Sequence, residues 1–363
     1  MWWFRSGKRV LTIGSVHLDT IALSRSDGPA EDVTHIGSIT HSVGGSAYNI
    51  AANLTAHHGR QSAVSEAAVY SILPQHSVLT EIIKYKIDAA RINSRFVRLF
   101  KEFNFRHVRG GGYVGILDDQ RLVRQAVVDA AMHDANIFHD RDEGAFLTSA
   151  LAWADMLMLD ADLAVSIVNH VAEHAHDSGK PLFVSIGAPL AGKRGWINSH
   201  DENMATCLSA RLGVLAVILE QRGAAKAEIA AFRQFVDTGG AADFDIGAIC
   251  RLLKTRHVVC CNVRESKGIA LLAAGEQPYA CFLAIPEEVR ARILRGQIPL
   301  GRILRDAGIL YGSTPTAFLE LIPNGEMMGV FWMPESRTLY GRRTQVTLDG
   351  ARIGDIVEVL PLV

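Results

Sequence analysis

Two apolar runs of strand length, Ala154 to Asp160 (ADMLMLD) and Pro181 to Ile186 (PLFVSI), flank a stretch from Leu163 to Ala175 whose apolar residues recur at helical spacing. A strand that is apolar without alternation needs cover on both faces. Two such strands joined by a helix pair in parallel through a right-handed crossover. The segment predicts an α/β fold built on a mostly parallel sheet flanked by helices. His257 to Leu272 (HVVCCNVRESKGIALL) adds a strand, a glycine turn and a strand. Gly110 to Asp118 (GGGYVGILD) with Leu122 to Asp129 predicts a hairpin about the Asp118-Asp119 turn.

The chain has 363 residues, room for roughly two domains, and its 48% hydrophobic content supplies sizeable cores. Lysine and arginine number 37 against 38 acidic residues, so no broad attraction to nucleic acid or an anionic membrane is expected. The 5 cysteines include an adjacent pair, Cys260-Cys261, and no Cys-x-x-Cys. This argues against a disulfide framework or a zinc ribbon and for a reducing, cytoplasmic setting. The N-terminal MWWFRSGKRV lacks an apolar core for secretion, and no run approaches the ~20 residues of a membrane span.

Ser42 to Leu54 (SVGGSAYNIAANL) places two glycines and an asparagine at the start of an apolar helix. A Gly-Gly pair permits backbone angles closed to other residues and can turn successive N–H groups into one concavity. The plainer alternative is a buried helix start that needs close approach. Upstream, Val10 to Ala22 (VLTIGSVHLDTIA) reads as strand, turn and strand, with Asp19 near a strand end. Together these segments resemble the opening of the ribokinase-like PfkB family of carbohydrate and nucleoside kinases. The resemblance implies that Asp19, Gly44, Gly45 and Asn49 bind the hydroxyls of a small-molecule substrate, and that the 110–129 segment is a central strand pair of that fold. Because the lids of such proteins often pair, it also implies a homodimer. The crossover resembles the family too, with Asp162 where asparagine is usual and Lys193 in the following loop (GAPLAGKRGW). The likeness runs from about residue 8 to 275.

Phosphoryl transfer to a hydroxyl needs a base and oriented N–H groups that neutralise the moving phosphoryl. Asp237 to Asp243 (DTGGAAD) would set Gly240, Ala241 and Ala242 as an anion-binding helix start with Asp243 just inside it as the base. On this kinase reading the cofactors are ATP and Mg2+. The family, however, places its Gly-Ala-Gly-Asp motif after the strand pair that corresponds to 257–272, whereas here the segment comes before it. The competing reading is a glycine turn between helices at 227–235 and 246–253, with Asp243 as a helix-start charge.

The tail carries a second pattern. Thr344 to Leu348 and Ile353 to Leu360 alternate like strands about an Asp349-Gly350 turn, which predicts an antiparallel hairpin. With IPLGRI at 298–303 and LYGRRT at 339–344, these words resemble the chorismate pyruvate-lyase fold. That resemblance implies a smaller α+β antiparallel domain at 276–363, joined as a fusion to the ribokinase-like domain at 1–275. It implies Arg342, Arg343 and Glu358 as catalytic, and Leu300 with Arg264 or Lys267 as contacts to an aromatic acid. Phe282 stands at the second arginine position. Arginine forks suit the two carboxylates of chorismate, whose elimination leaves 4-hydroxybenzoate. The plain alternative is a solvated sheet face.

Three functions therefore stand open: a sugar- or nucleoside-binding protein of kinase descent, a chorismate-lyase-like enzyme or aromatic-acid binder, and a non-catalytic sensor or assembly protein. One further motif, HVAEH at 170–174, would set His170 and His174 one helical turn apart for zinc with Glu173 as base. It falls within the crossover helix, beside the apolar stripe of Leu163, Ile167 and Val171, and no third ligand is evident.

Overall fold

A computed structural model describes residues 8–24, 37–56, 64–75, 77–100, 111–117, 123–129, 141–186, 196, 204–239, 243–261, 268–274, 278–284 and 287, with short strands at 318–321, 327–330 and 345–347. In chain order the elements are β1 (Lys8–Ile13), β2 (His17–Ser24), β3 (Gly37–Gly44), α1 (Ser46–Ala56), β4 (Val64–Pro74), α2 (Val78–Ala89), β5 (Val97–Phe100), β6 (Gly112–Leu117) and β7 (Val123–Asp129). There follow α3 (Arg141–Trp153), β8 (Met156–Asp160), α4 (Val165–Asp177), β9 (Leu182–Ile186), β10 (Ala205–Ala210), α5 (Leu212–Gln221), α6 (Lys226–Thr238) and α7 (Ile246–Leu252). The last are β11 (Thr255–Cys261), β12 (Gly268–Ala273), β13 (Tyr279–Ala284), β14 (Phe318–Leu321), β15 (Met327–Val330) and β16 (Gln345–Thr347).

The large sheet runs β16-β13-β12-β11-β10-β9-β8-β1-β4-β5. From β11 to β5 every pairing is parallel, a seven-stranded parallel sheet flanked by helices. The expected crossover is β8–α4–β9, with Leu157 opposite Leu182. Each residue of β8 and β9 is buried, as their unbroken apolar runs require. Helix α4 turns Ile167, Val168, Val171, Ala172 and Ala175 inward, the 3.6-residue stripe read from the sequence. Helix α3 ends where Lys180 Nζ donates to the carbonyls of Leu151 (2.8 Å) and Ala152 (3.2 Å), a cation answering orphan acceptors of the last turn.

Strands β11 and β12 pair antiparallel as read from the sequence, and β13 continues the sheet beyond residue 275, paired along its whole length with β12. The 345–347 strand of the expected tail hairpin pairs in parallel with β13, and the returning segment 348–360 lies outside the described residues. The short strands β14 and β15 form an antiparallel pair of their own.

A second, four-stranded sheet, ordered β3-β2-β6-β7, leaves the large one at Gly14–Val16. The expected β6–β7 pairing is antiparallel, but the pair is not central as the resemblance implied: it lies in this small sheet, with β7 at its edge and β6 parallel to β2. Its inward face carries His17, Asp19 and Ile21, all buried. Its outward face shows Ile39, Val114 and Val127, which are 68%, 48% and 70% exposed. No described helix is long and apolar enough to cross a membrane.

Candidate substrate-binding site

Open α/β sheets form their binding crevice at the carboxyl ends of the strands. Here β1 and β8 end side by side at Ile13 and Asp160, and the small sheet rises from that edge. Gly44, the last residue of β3, faces His17 across the ladder. A Cβ on Gly44 would fall on the Asp19 carboxylate, Oδ2 first, so the missing side chain is what lets that acid in. Asp19 is 8% exposed, and its Oδ1 lies 3.0 Å from His17 Nε2. Gly45 has φ +93°, and a Cβ there would run into the backbone carbonyl of Ser15. Both glycines are thus fixed by close approach, and one also by its backbone angle.

The concavity of N–H groups expected at the doublet takes another form. Ser46 N–H donates to Ser15 Oγ (3.2 Å) and Ala47 N–H to the Ser15 carbonyl (3.2 Å), so the first amides of α1 are already engaged. The polar groups at this corner are side chains instead. Asn49, one turn into α1 and buried, donates its own N–H to Gly45 O (3.0 Å). Asp19, Gly44, Gly45 and Asn49 are therefore brought to a single corner, where β2, β3 and α1 meet.

The sequence reading missed several residues that build this corner. Asp160, 4% exposed, accepts at Oδ2 from Ser46 Oγ and from Ser15 Oγ (3.2 Å), and at Oδ1 from the Asp162 N–H (3.0 Å). This buried carboxylate ties the start of α1 to the ends of β1 and β8. Gly14 makes room for it, since a Cβ there would sit 2.5 Å from the Asp160 Cβ. The signal was present: Asp160 is the one charged residue of an otherwise apolar, fully buried strand. Beside this corner a small cleft is lined by Gly14, Val16, Tyr70, Ser71, Gly111 and Leu163.

Asp243 stands elsewhere. It is exposed and precedes α7, which packs on β11 and β12. Stepping β11-β10-β9-β8-β1 crosses four strand spacings, roughly 19 Å of sheet at ~4.8 Å each. The reading that put Asp243 just inside a helix is corrected. The helix starts at Ile246, with Asp245 as its N-cap accepting from Ala248 N–H at 2.9 Å. Phe244, packed edge-on to Phe232 and Phe235, fixes where the turn re-enters the core. Gly239 ends α6 at φ +67°, and the space its Cβ would need is filled by the ring of Phe282. That glycine serves a helix end and a packing contact. Gly240, Ala241 and Ala242 lie outside the described residues, as do Lys193, Arg264, Lys267, Leu300, Arg342, Arg343 and Glu358.

On α4, His170 Nε2 shares a hydrogen bond with Thr148 Oγ1 of α3 (3.0 Å), and among the described residues no group of three His, Cys, Asp or Glu is placed to hold a metal. Burial lowers the pKa of both His170 and His174; for His174 nearby Lys180 adds to this. The unfolded chain, with histidines titrating near about 6.5, therefore binds more protons than the folded one below that pH. Stability rises with pH through this window and is lost as pH falls through it. The urea midpoint should drop between pH 7 and pH 5, and a His170→Gln/His174→Gln double variant should flatten the slope.

No protein-family model matches the chain, and no curated protein matches it. Solved structures do. A carbohydrate kinase from Agrobacterium tumefaciens superposes with a TM-score of 0.52 at 16% identity, over 76% of this chain and 75% of that one. Ribokinase from Giardia lamblia gives a TM-score of 0.56 at 12% identity, over 77% of both chains. The fold is ribokinase-like. Arabidopsis thaliana ribokinase, solved with ribose and ATP, matches at a TM-score of 0.51 and 16% identity over 77% of this chain and 78% of that one. At these identities the likeness establishes the ribokinase-like fold. It lends no support to a chorismate-lyase-like tail.

Proposed function

We propose that this ribokinase-like chain descends from sugar kinases and binds a sugar or nucleoside at the corner formed by Asp19, Gly44, Gly45 and Asn49. The observation that carries this reading is the buried Asp19 carboxylate laid over the side-chain-free Gly44 at the crevice edge of the sheet. A buried carboxylate is costly unless donors answer it, and ligand hydroxyls are donors of the right kind. The test is calorimetry of the full chain against a panel of pentoses, hexoses and nucleosides. A ligand should bind, and Asp19→Asn should weaken it at least tenfold. Equal binding by wild type and Asp19→Asn would end the proposal.

ATP with Mg2+ is the phosphoryl donor that the fold suggests, since one neighbour is solved with ribose and ATP and a Cryptococcus neoformans ribokinase with ADP. The described residues around Asp243 do not fit a phosphate cradle, because Phe282 fills the space beside Gly239 and Asp245 already caps the seven-residue α7. No transfer step is assigned to them. The chorismate-lyase-like and sensor readings have no specific observation in their favour.

The same proposal includes pairing of two copies through the outer face of the small sheet. Ile39, Val114 and Val127 lie on that face, and Val114 and Val127 are directly opposed across β6 and β7. Sedimentation equilibrium should find a dimer in wild type and a monomer in Val114→Lys/Val127→Lys. A cytoplasmic setting suits the buried free thiols of Cys207, Cys250 and Cys260.

A further inference from the structure

We infer that His17 is a positioning residue for ligand binding: it holds the Asp19 carboxylate by one oxygen so that the other meets the ligand at the glycine doublet. The inference rests on the sugar- or nucleoside-binding reading of the same corner.

His17 and Asp19 are two residues apart on β2 and so share one face. That face turns inward, where the two residues are 9% and 8% exposed. Directly across the ladder from His17 stands Gly44, and across from Asp19 stands Ser42. No side chain at position 44 competes for the space above the ladder, and the Asp19 carboxylate takes it. His17 Nε2 lies 3.0 Å from Asp19 Oδ1, while Oδ2 is the atom nearest the place where a Gly44 Cβ would be. The two oxygens are thus divided between an internal partner and the glycine.

A short buried carboxylate has two torsions, and ligand affinity depends on how narrowly they are held before the ligand arrives. The imidazole supplies that restraint by lying against the carboxylate, its Nε2 at 3.0 Å from Oδ1. Such a supporting contact, not a ligand contact itself, keeps a binding group within the fraction of an ångström that recognition demands. A cation nearer the carboxylate would neutralise it. Neither 14–24 nor 37–56, the described stretches that carry β2, β3 and α1, contains a lysine or arginine.

The test compares His17→Leu, which keeps bulk and removes the polar contact, with His17→Gln, whose amide can restore a polar contact with Oδ1. The probe is whichever pentose, hexose or nucleoside the wild type binds best. Calorimetry should show a loss of tenfold or more in His17→Leu and recovery to within about threefold of wild type in His17→Gln. The stoichiometry at saturating ligand should be unchanged in both. Thermal unfolding of the free protein separates this from a packing role, because a merely structural histidine would lower stability in both variants alike and affinity in neither. If Asp19→Asn weakens binding and His17→Leu does not, the positioning role is overturned while the binding reading stands. If Gln fails to recover what Leu loses, the role is likewise overturned. If Asp19→Asn has no effect, the binding reading itself falls.

Discussion

Gly45→Ala is expected to destabilise the protein by about 3 kcal/mol or more, measured as the free energy of urea unfolding. Two separate penalties combine at this position. The backbone angle of +93° is one that a Cβ opposes, and the added methyl would overlap the carbonyl of Ser15, a backbone group fixed by the end of β1. Neither neighbour is the far end of a flexible side chain. Gly223, between α5 and α6, isolates the first penalty, since its φ is +82° but nothing lies within 4 Å of where a Cβ would be. Gly223→Ala should cost only about 1 kcal/mol. The difference between the two variants then measures the overlap with Ser15 alone. Equal costs would mean that α1 can move away from β1, contrary to the hydrogen bonds from Ser46 and Ala47 that join them.

The second large effect is expected at Asp160. Asp160→Ala removes one acceptor group that serves Ser15 Oγ, Ser46 Oγ and the Asp162 N–H together. All three donors would remain in a buried corner without it, at a cost of about 3 kcal/mol. Asp160→Asn should lose about 1 kcal/mol, because the amide oxygen still accepts and a serine hydroxyl can rotate to accept from the amide nitrogen. The alanine variant should also weaken ligand binding more than its loss of stability explains, since Ser46 follows immediately on the glycine doublet. Unfolding curves and calorimetry on the same preparations give both numbers.

The central sheet was legible because its strands are buried on both faces. MLMLD and LFVSI allow no solvent-facing alternation, and the helix between them shows its stripe. The glycine doublet was legible as well, although for a reason of space more than of amide geometry. Sequence alone does not reveal that Ser15 lies beneath Gly45, because that contact joins residues brought together only by the fold of β1, β2 and β3. Asp160 was passed over as the end of an apolar run and His17 as an ordinary polar position of a strand. Each becomes informative only with its register: Asp160 against the end of β1, His17 against Gly44. The DTGGAAD segment misled in the opposite way. Its residue types imitate a helix start, but the aromatic anchor Phe244 and the cap Asp245 shift the helix downstream.

The candidate corner draws on two separate bodies. Asp19 and His17 ride on the small four-stranded layer, whereas Ser46, Asn49 and Asp160 belong to the large layer, and the chain passes between them only a residue or two away, at Gly14–Val16 and at Gly45. A tilt of the small layer about those two crossings would carry the imidazole and its acid away as one rigid couple and leave the tethered helix where it is. Occupancy of the corner is therefore a gauge of how far apart the layers stand.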